Sequence, residues 1–104
     1  QGPLGTDKEG NNIYLIDIIK YEGEEIVGRL DKEEKIKVLD EILDKTLQKR
    51  EKFIIEMRYG IRNKEHKTQR EIAKLLGISR SYVSRIEKKA LKKLHDALIS
   101  NVGN

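Results

Sequence analysis

The sequence has no cysteine and no tryptophan, only one proline and one phenylalanine, and no long hydrophobic run. Without cysteine, neither a disulfide framework nor a thiolate metal site can form, and a reducing, cytoplasmic location is expected. No apolar stretch approaches the roughly 18–20 residues that a membrane-spanning helix needs, and the N-terminus lacks the basic-then-apolar pattern of a secretion signal. The 104 residues therefore predict one small domain, or a fragment of one, that does not enter a membrane.

The sequence also lacks the residue groupings that are typical of an enzyme. Its two histidines, His66 and His95, are isolated, and no pair of acidic residues flanks either one at a helical step. A glycine-rich phosphate loop is absent as well. We therefore expect no catalytic residue, no metal site and no cofactor.

Charge is distributed unevenly along the chain, although the net charge is only +4. Residues 1–45 carry 7 basic and 12 acidic side chains, a balance of −5, whereas residues 46–104 carry 15 and 6, a balance of +9. A basic second half favours a polyanionic partner for that half. The alternative is a charge-rich surface that is simply solvated.

Residues 1–30 have the composition of a linker. Glycines punctuate them, and Asp7–Asn12 is rich in turn-forming residues. The apolar run Ile13–Ile19 is too short to assign. It is compatible with a strand, a helical turn, or a segment that becomes ordered only on a partner.

Helical periodicity begins near Asp31, a favourable N-cap. A second helix is expected from about Gln48 to Tyr59, where Gly60 suits a left-handed C-terminal cap. The inward-facing positions of the first helix are Ile36, Leu39, Ile42 or Leu43, and Leu47. Those of the second are Phe53, Ile54 and Met57, with Ile61 as a further candidate.

The stretch around Gly77 has the pattern of a helix-turn-helix. Thr68 and Glu71 form a capping box that begins a third helix, and Ser79 is a good N-cap for a fourth that runs to about Ile99. The small Ala73 allows close approach of the two helices, and Gly77 tolerates the positive φ of a short turn. The apolar residues that would close the joint are Ile72, Leu76, Ile78, Val83 and Ile86. The predicted fold is therefore all-α: four helices containing a helix-turn-helix, preceded by a flexible or irregular arm. An ordinary helical hairpin in a structural bundle is the alternative.

The outward face of the fourth helix favours DNA over a purely structural role. Arg80, Ser81, Ser84 and Arg85 share its first turn and a half, where arginine forks and short hydroxyls suit base edges and phosphates. Lysines continue this face along the helix and are candidates for phosphate contact or for a solvated basic surface. They are Lys88, Lys89, Lys92 and Lys93, of which we favour the first two.

The segments Leu47–Glu51, Arg58–Ile61 and Thr68–Leu94 resemble, in order and without gaps, region 4 of bacterial sigma factors of the sigma-seventy superfamily. The stretch Ser79–Arg85 is most similar to the sporulation branch, the sigma-K and sigma-E type, and residues 5–11 resemble the linker of that branch. The domains of a full sigma factor that melt and hold the −10 element have no counterpart in the sequence, so a C-terminal fragment is expected.

The resemblance implies two parts: residues 1–30 as the interdomain linker, which forms an acidic finger near the polymerase active centre, and residues 31–104 as region 4, which binds the −35 promoter element. The base-reading positions that it implies are Arg80, Ser81, Ser84 and Arg85. The implied phosphate-binding positions are Arg50, Arg58, Gln69, Arg70, Ser79 and Lys89, to which we add Lys88. The implied docking positions for the flap of the polymerase β subunit lie among Ile42, Leu43, Phe53, Ile54, Met57 and Tyr59. An anti-sigma factor or an activator is a further implied partner.

Departures from the family pattern predict an altered promoter preference. Primary sigma factors carry an acidic residue where Ser81 stands, an arginine at Ser84 and a glutamine at Arg85. Because a carboxylate accepts from cytosine and an arginine forks onto guanine, these changes should alter the bases read. Arg70, also acidic in primary sigma factors, should add a phosphate contact.

Two other classes of protein remain open at this point. A stand-alone helix-turn-helix regulator would normally dimerise on two half-sites, but no heptad or long apolar seam supports a dimer, and we expect a monomer. A protein-interaction module with an incidental basic face is the other. Binding to duplex DNA that weakens with salt would separate DNA-binding proteins from such a module.

Overall fold

The computed structural model describes residues 8–20 and 29–102, with side chains described for residues 9–20 and 29–100. Five helices occupy these ranges. They are α1 (Lys8–Ile19), α2 (Lys32–Thr46), α3 (Lys49–Tyr59), α4 (Gln69–Leu76) and α5 (Arg80–Val102). The predicted all-α class is confirmed. None of these helices combines the length and the apolar character that a bilayer crossing requires.

The predicted helix boundaries rest on local capping, and the caps are present. The Asp31 carboxylate accepts from the Glu34 backbone N–H at 2.8 Å, and the Glu34 side chain accepts from the Asp31 N–H at 3.0 Å. Thr68 and Glu71 make the same reciprocal pair at 3.1 and 2.9 Å. Each pair satisfies donors that the first helical turn leaves without intrahelical acceptors. The starts of α2 and α4 are thus set by local sequence.

The segment 8–19 departs from the irregular arm expected from the sequence. It is a helix whose Leu15, Ile16 and Ile19 are at most 2% exposed and join the main hydrophobic core. Its Asn11 Nδ2 also donates to the buried carbonyl of Gly60 at 2.9 Å. Of the three conformations left open for the run 13–19, the helical one is correct, because the core offers an apolar face that this run covers. The acidic residues of the predicted finger, Glu22, Glu24 and Glu25, lie outside the described residues.

The main core is built around α5. Helices α1, α2, α3 and α5 contribute its fully buried side chains, among them Leu39, Ile42, Ile55, Leu94 and Leu98. A second cluster lies under the helix-turn-helix and consists of Ile54, Met57, Ile72, Ala73 and Val83. Helix α3 therefore faces both clusters and fixes α4 relative to the long helix α5.

The loop after α3 is fastened to α2 by Arg62. This residue has a positive φ of 56°, and its guanidinium donates to Asp40 at 2.6 Å, to Asp44 at 2.8 Å and to Glu56 at 3.2 Å. The hydrogen bond from Arg62 and, to a lesser extent, the one from Lys52 lower the pKa of Asp44 to about 2. The loop that leads into α4 is thus held by several charge-assisted hydrogen bonds.

Candidate nucleic-acid interface

The joint between α4 and α5 has the geometry that the sequence predicts. Gly77 caps α4 in the left-handed conformation, with φ +69° and ψ 33°, and its N–H donates to the Ala73 carbonyl. Val83 is fully buried against Ile72 and Ala73, which are 0% and 6% exposed. At the start of α5, the Ser79 Oγ accepts from the Tyr82 N–H at 3.0 Å, as an N-cap does. One side of α5 is therefore fixed onto α4.

The opposite side of α5 is open to solvent. Arg80, Ser81, Ser84 and Arg85 are all exposed. Because they lie at i, i+1, i+4 and i+5, they form one continuous patch on the first turn and a half. The predicted base-reading side chains are thus brought together on one exposed surface of α5.

A cleft beside this patch collects donors from three elements. It has a volume of about 530 Å³ and is lined by Arg58, Thr68, Gln69, Arg70 and Arg80. The first turn of α4 lies at this cleft, and the capping box uses the N–H groups of Thr68 and Glu71 rather than those of Gln69 and Arg70. Helix N-termini of this kind attract anions through their free N–H groups and their dipole. Together with three arginines, the cleft is suited to a backbone phosphate.

The predicted phosphate-binding residues fall into two groups. Five of them are exposed and unobstructed at the surface, namely Arg50, Arg70, Ser79, Lys88 and Lys89. The other two, Arg58 and Gln69, are only partly exposed and contact the buried carboxylate of Glu87. Both side chains nevertheless line the cleft.

Tyr82 is a candidate contact residue that the sequence analysis missed. It is 42% exposed, and the Arg50 Cζ lies 5.9 Å from the centroid of its ring. Both side chains line a second cleft, of about 310 Å³, next to Arg85 and Lys89. The sequence does contain a signal for this role, because Tyr82 directly follows Ser81, a predicted base-reading residue. Its proximity to Arg50 is visible only in the structure.

Comparison with known proteins identifies the family of this helix-turn-helix. Residues 45–96 match the family model of region 4 of sigma-70. The chain belongs to the sigma-70 family. It is 52% identical over 92 residues to an RNA polymerase sigma-28 factor of Bacillus thuringiensis subsp. kurstaki, an alignment that covers 88% of this chain and 38% of that protein.

Two further relatives are named as sigma-K and sigma-E factors. An RNA polymerase sigma-K factor of Bacillus subtilis (strain 168) is 51% identical, with 88% of this chain and 31% of that protein covered. For an RNA polymerase sigma-E factor of Clostridium acetobutylicum the values are 41%, 88% and 39%. No solved structure matches the chain. The predicted resemblance is confirmed, and the chain spans less than two fifths of these relatives' length.

The distal lysines of this sigma region 4 are engaged within the chain. The Lys93 ammonium lies 3.0 and 2.9 Å from the two carboxylate oxygens of Glu51 on α3, and the Lys92 ammonium lies 3.7 Å from Asp96. Lys88 and Lys89 are exposed. This arrangement favours Lys88 and Lys89 over the distal pair as phosphate contacts.

The residues predicted to dock on the polymerase flap are mostly part of the hydrophobic core of the chain. Five of the six are at most 6% exposed: Ile42, Leu43, Ile54, Met57 and Tyr59. Only Phe53 is partly exposed, with the Lys64 ammonium 5.5 Å from its ring centroid. In this conformation the other five hold the two hydrophobic clusters together, because helical periodicity alone does not distinguish core from interface. Phe53 is the member of this set that a partner would reach.

The described part of the chain offers no grouping for metal chemistry. Across residues 8–20 and 29–102, no three His or acidic side chains converge on a point that an ion would occupy. His95 is buried, and its Nδ1 lies 3.3 Å from Asp96 Oδ1. His66 Nε2 lies 3.4 Å from the Arg58 guanidinium. Both histidines therefore make contacts within the fold.

Proposed function

We propose that this chain is the promoter-recognition part of an RNA polymerase sigma factor, which binds the −35 element in the major groove and directs transcription initiation without enzymatic activity. The observation that carries the proposal is the exposure of Arg80, Ser81, Ser84 and Arg85 on α5 while Val83, on the other side, is fully buried. Membership of the sigma-70 family supports it. The names of the sigma-K and sigma-E relatives further favour sporulation genes as targets.

In this proposal the start of α5 and the neighbouring cleft contact different parts of the DNA. Arg85 and the serines approach base edges, since a guanidinium forks onto guanine and hydroxyls donate or accept at short range. Arg70, Gln69 and the N-terminus of α4 hold a backbone phosphate and set the register of α5 in the groove. The remaining phosphate contacts are assigned to Arg50, Arg58, Ser79, Lys88 and Lys89. Arg80 lies at the junction, since it belongs to the base-reading patch and also lines the phosphate cleft.

The proposed partners beyond DNA are the RNA polymerase core, through the β flap, and an anti-sigma factor or activator. The partly exposed Phe53 is the starting point for flap contact. We propose a cytoplasmic chain that reaches the nucleoid through the polymerase and is monomeric when isolated. Residues 1–30 would link region 4 to the preceding sigma domain, with α1 held against region 4 when the polymerase is absent.

The experiment that tests the DNA-binding proposal is a salt titration of binding to short duplexes, followed by fluorescence anisotropy. Each phosphate that the protein neutralises should contribute about 0.9 to the slope of log K against log salt. A slope of several units supports the proposal, whereas binding that does not change with salt concentration would indicate a protein-interaction module. Because the polymerase supplies further contacts and hence avidity, capture of the isolated β flap is the companion assay.

The stand-alone regulator is tested separately by light scattering on the free chain. A monomer that binds one half-site agrees with the sigma proposal. A tight symmetric dimer that requires two half-sites about one helical turn apart would instead favour the regulator.

A further inference from the structure

Glu87 is an acidic residue in the middle of the basic face of α5, and its side chain is buried, with 7% exposure. Its Oε2 accepts from the Tyr59 hydroxyl at 2.9 Å, and its Oε1 accepts from the Gln69 amide at 2.8 Å. The Arg58 Nε lies 3.4 Å from the same Oε1. One carboxylate thus joins α3, α4 and α5 directly behind the helix-turn-helix.

Two of these partners form the wall of the cleft that is suited to phosphate. Arg58 and Gln69 line that cleft, and Glu87 does not. The carboxylate therefore contacts the terminal amide nitrogen of Gln69 and lies beside the Nε of Arg58, and both of these side chains line the cleft proposed to hold the DNA backbone. An anion at this depth cannot bind phosphate itself, so its effect on DNA must pass through its neighbours.

The geometry indicates how Glu87 acts on Gln69. A primary amide has two N–H groups, and a hydrogen bond of one of them to Glu87 fixes the plane of the amide. The second N–H is then held in one orientation beside the N-terminus of α4. A side chain that is already ordered loses less freedom when it binds a ligand than one that is free to rotate.

Arg58 depends on Glu87 in a different way. Its Nε is buried without a hydrogen-bond partner, so the nearby carboxylate holds it by charge rather than by a well-aligned hydrogen bond. The ring of Tyr59, with its centroid 5.6 Å from the Arg58 Cζ, is a further contact of the guanidinium. Removal of the negative charge would leave this buried donor without compensation.

We propose that Glu87 is a positioning residue for DNA binding: it orders Gln69 and Arg58 so that both present donors to a backbone phosphate. This inference rests on the proposed function and adds a residue that the basic-face pattern does not reveal. Charge alone and positioning predict opposite effects on DNA binding when Glu87 is replaced. Removing a negative charge near a polyanion should strengthen binding if charge alone matters, whereas loss of a positioning residue should weaken it.

The first test uses the Glu87→Gln variant of the full chain. The glutamine keeps one acceptor oxygen but places an NH₂ group against one of the two donors that Glu87 accepts. We expect duplex affinity at low salt to fall about tenfold, with a salt slope shallower by up to about one, because Arg58 is the one charged side chain that Glu87 positions and the contact of the neutral Gln69 releases no counterion. The matched control is Glu65→Gln, which removes the same charge from a side chain that is 91% exposed. It should bind as well as the unchanged chain or slightly better. Equal or tighter binding by Glu87→Gln would overturn the inference.

A double-mutant cycle separates positioning from a general loss of structure. Gln69→Leu removes the donor at the surface of α4 and leaves Glu87 in place, so the contribution of Gln69 to binding can be measured on its own even if Glu87→Gln folds poorly. If Glu87 acts through Gln69, the two substitutions together should weaken binding by clearly less than the product of their separate effects. Fully multiplicative losses would refute an action through Gln69.

A measurement that does not involve DNA distinguishes failure of this inference from failure of the proposed function. In the free chain, the side-chain amide signals of Gln69 in a ¹⁵N NMR spectrum should show slow hydrogen exchange, which Glu87→Gln abolishes and Glu65→Gln preserves. Unchanged Gln69 signals in Glu87→Gln would overturn the positioning role whatever the DNA assay gives. Absence of salt-dependent duplex binding by the unchanged chain, with the NMR result as expected, would instead refute the proposed function and the DNA role of Glu87 with it.

Discussion

Helix α1 should be an integral part of the folded chain, and the substitution Leu15→Ala tests this directly. Leu15 is fully buried in the main core, beside Ile16 and Ile19 of the same helix. The substitution removes three carbons, worth about 0.8 kcal/mol each in transfer free energy, or about 2.4 kcal/mol. The space left behind raises the cost, and Leu→Ala changes in cores lie within about 2–5 kcal/mol. We expect the free energy of unfolding to fall by about 2.5–4 kcal/mol.

Urea unfolding followed by circular dichroism at 222 nm measures this loss. For a small domain with a urea dependence of roughly 1–3 kcal/mol per molar, the midpoint should fall by about 1–4 M. Ile18→Ala is the matched control, because Ile18 lies on the same helix but is 41% exposed. It should change the free energy of unfolding by no more than about 0.5 kcal/mol. Equal midpoints for the two variants would show that α1 does not dock on region 4 and would refute the reasoning.

The remaining predictions concern the two left-handed glycines and one carboxyl group. Gly77→Ala should cost about 1 kcal/mol of unfolding free energy from backbone strain alone, since φ is +69° and nothing lies within 4 Å of the added Cβ. Gly60→Ala should cost clearly more in the same urea assay, because its Cβ would lie 3.2 Å from Asn11 and His66; equal losses would contradict this. The Arg62 and Lys52 hydrogen bonds lower the pKa of Asp44 from 3.8 to about 2, so the ionised carboxylate stabilises the fold above its unfolded-state pKa. That contribution should be lost as pH falls from about 4 to about 2. In Arg62→Met, an NMR titration should show the pKa of Asp44 returning toward 3.8; an unchanged value would rule out the Arg62 interaction as the cause.

Local sequence determined those features of the fold that depend on neighbours along the chain. The capping residues Asp31 and Thr68 predicted the starts of α2 and α4, and Gly60 and Gly77 predicted left-handed helix ends, because each signal acts within four residues. The exposure of one face of α5 could be predicted because Val83 was expected to be buried. In a helix, residues on the side opposite a buried position face solvent. These predictions required no knowledge of tertiary packing.

Features that depend on contacts between residues far apart in the chain could not be predicted from the sequence. The apolar residues of α1 are distributed around most of the helix, so no single face of it indicated that Leu15 would be buried. The burial of Ile42 and Met57 likewise follows from how the helices cross, and it leaves Phe53 as the partly exposed residue of the predicted flap-binding set. Glu87 appeared to be one charge among several on α5. Only the crossing of α3, α4 and α5 brings Tyr59 and Gln69 to its carboxylate.

The most direct test of promoter reading by α5 compares Arg85→Ala with Lys89→Ala. Both variants are selected on a duplex pool that is randomised across the proposed −35 site, and affinities for the selected sequences are then measured. Arg85→Ala should relax the preference at one base pair, at a cost of about 1–3 kcal/mol for the preferred base, whereas Lys89→Ala should weaken every sequence alike. If Arg85→Ala instead weakens all sequences equally and leaves the selected preference intact, the claim that the first turns of α5 read promoter bases through this arginine is contradicted.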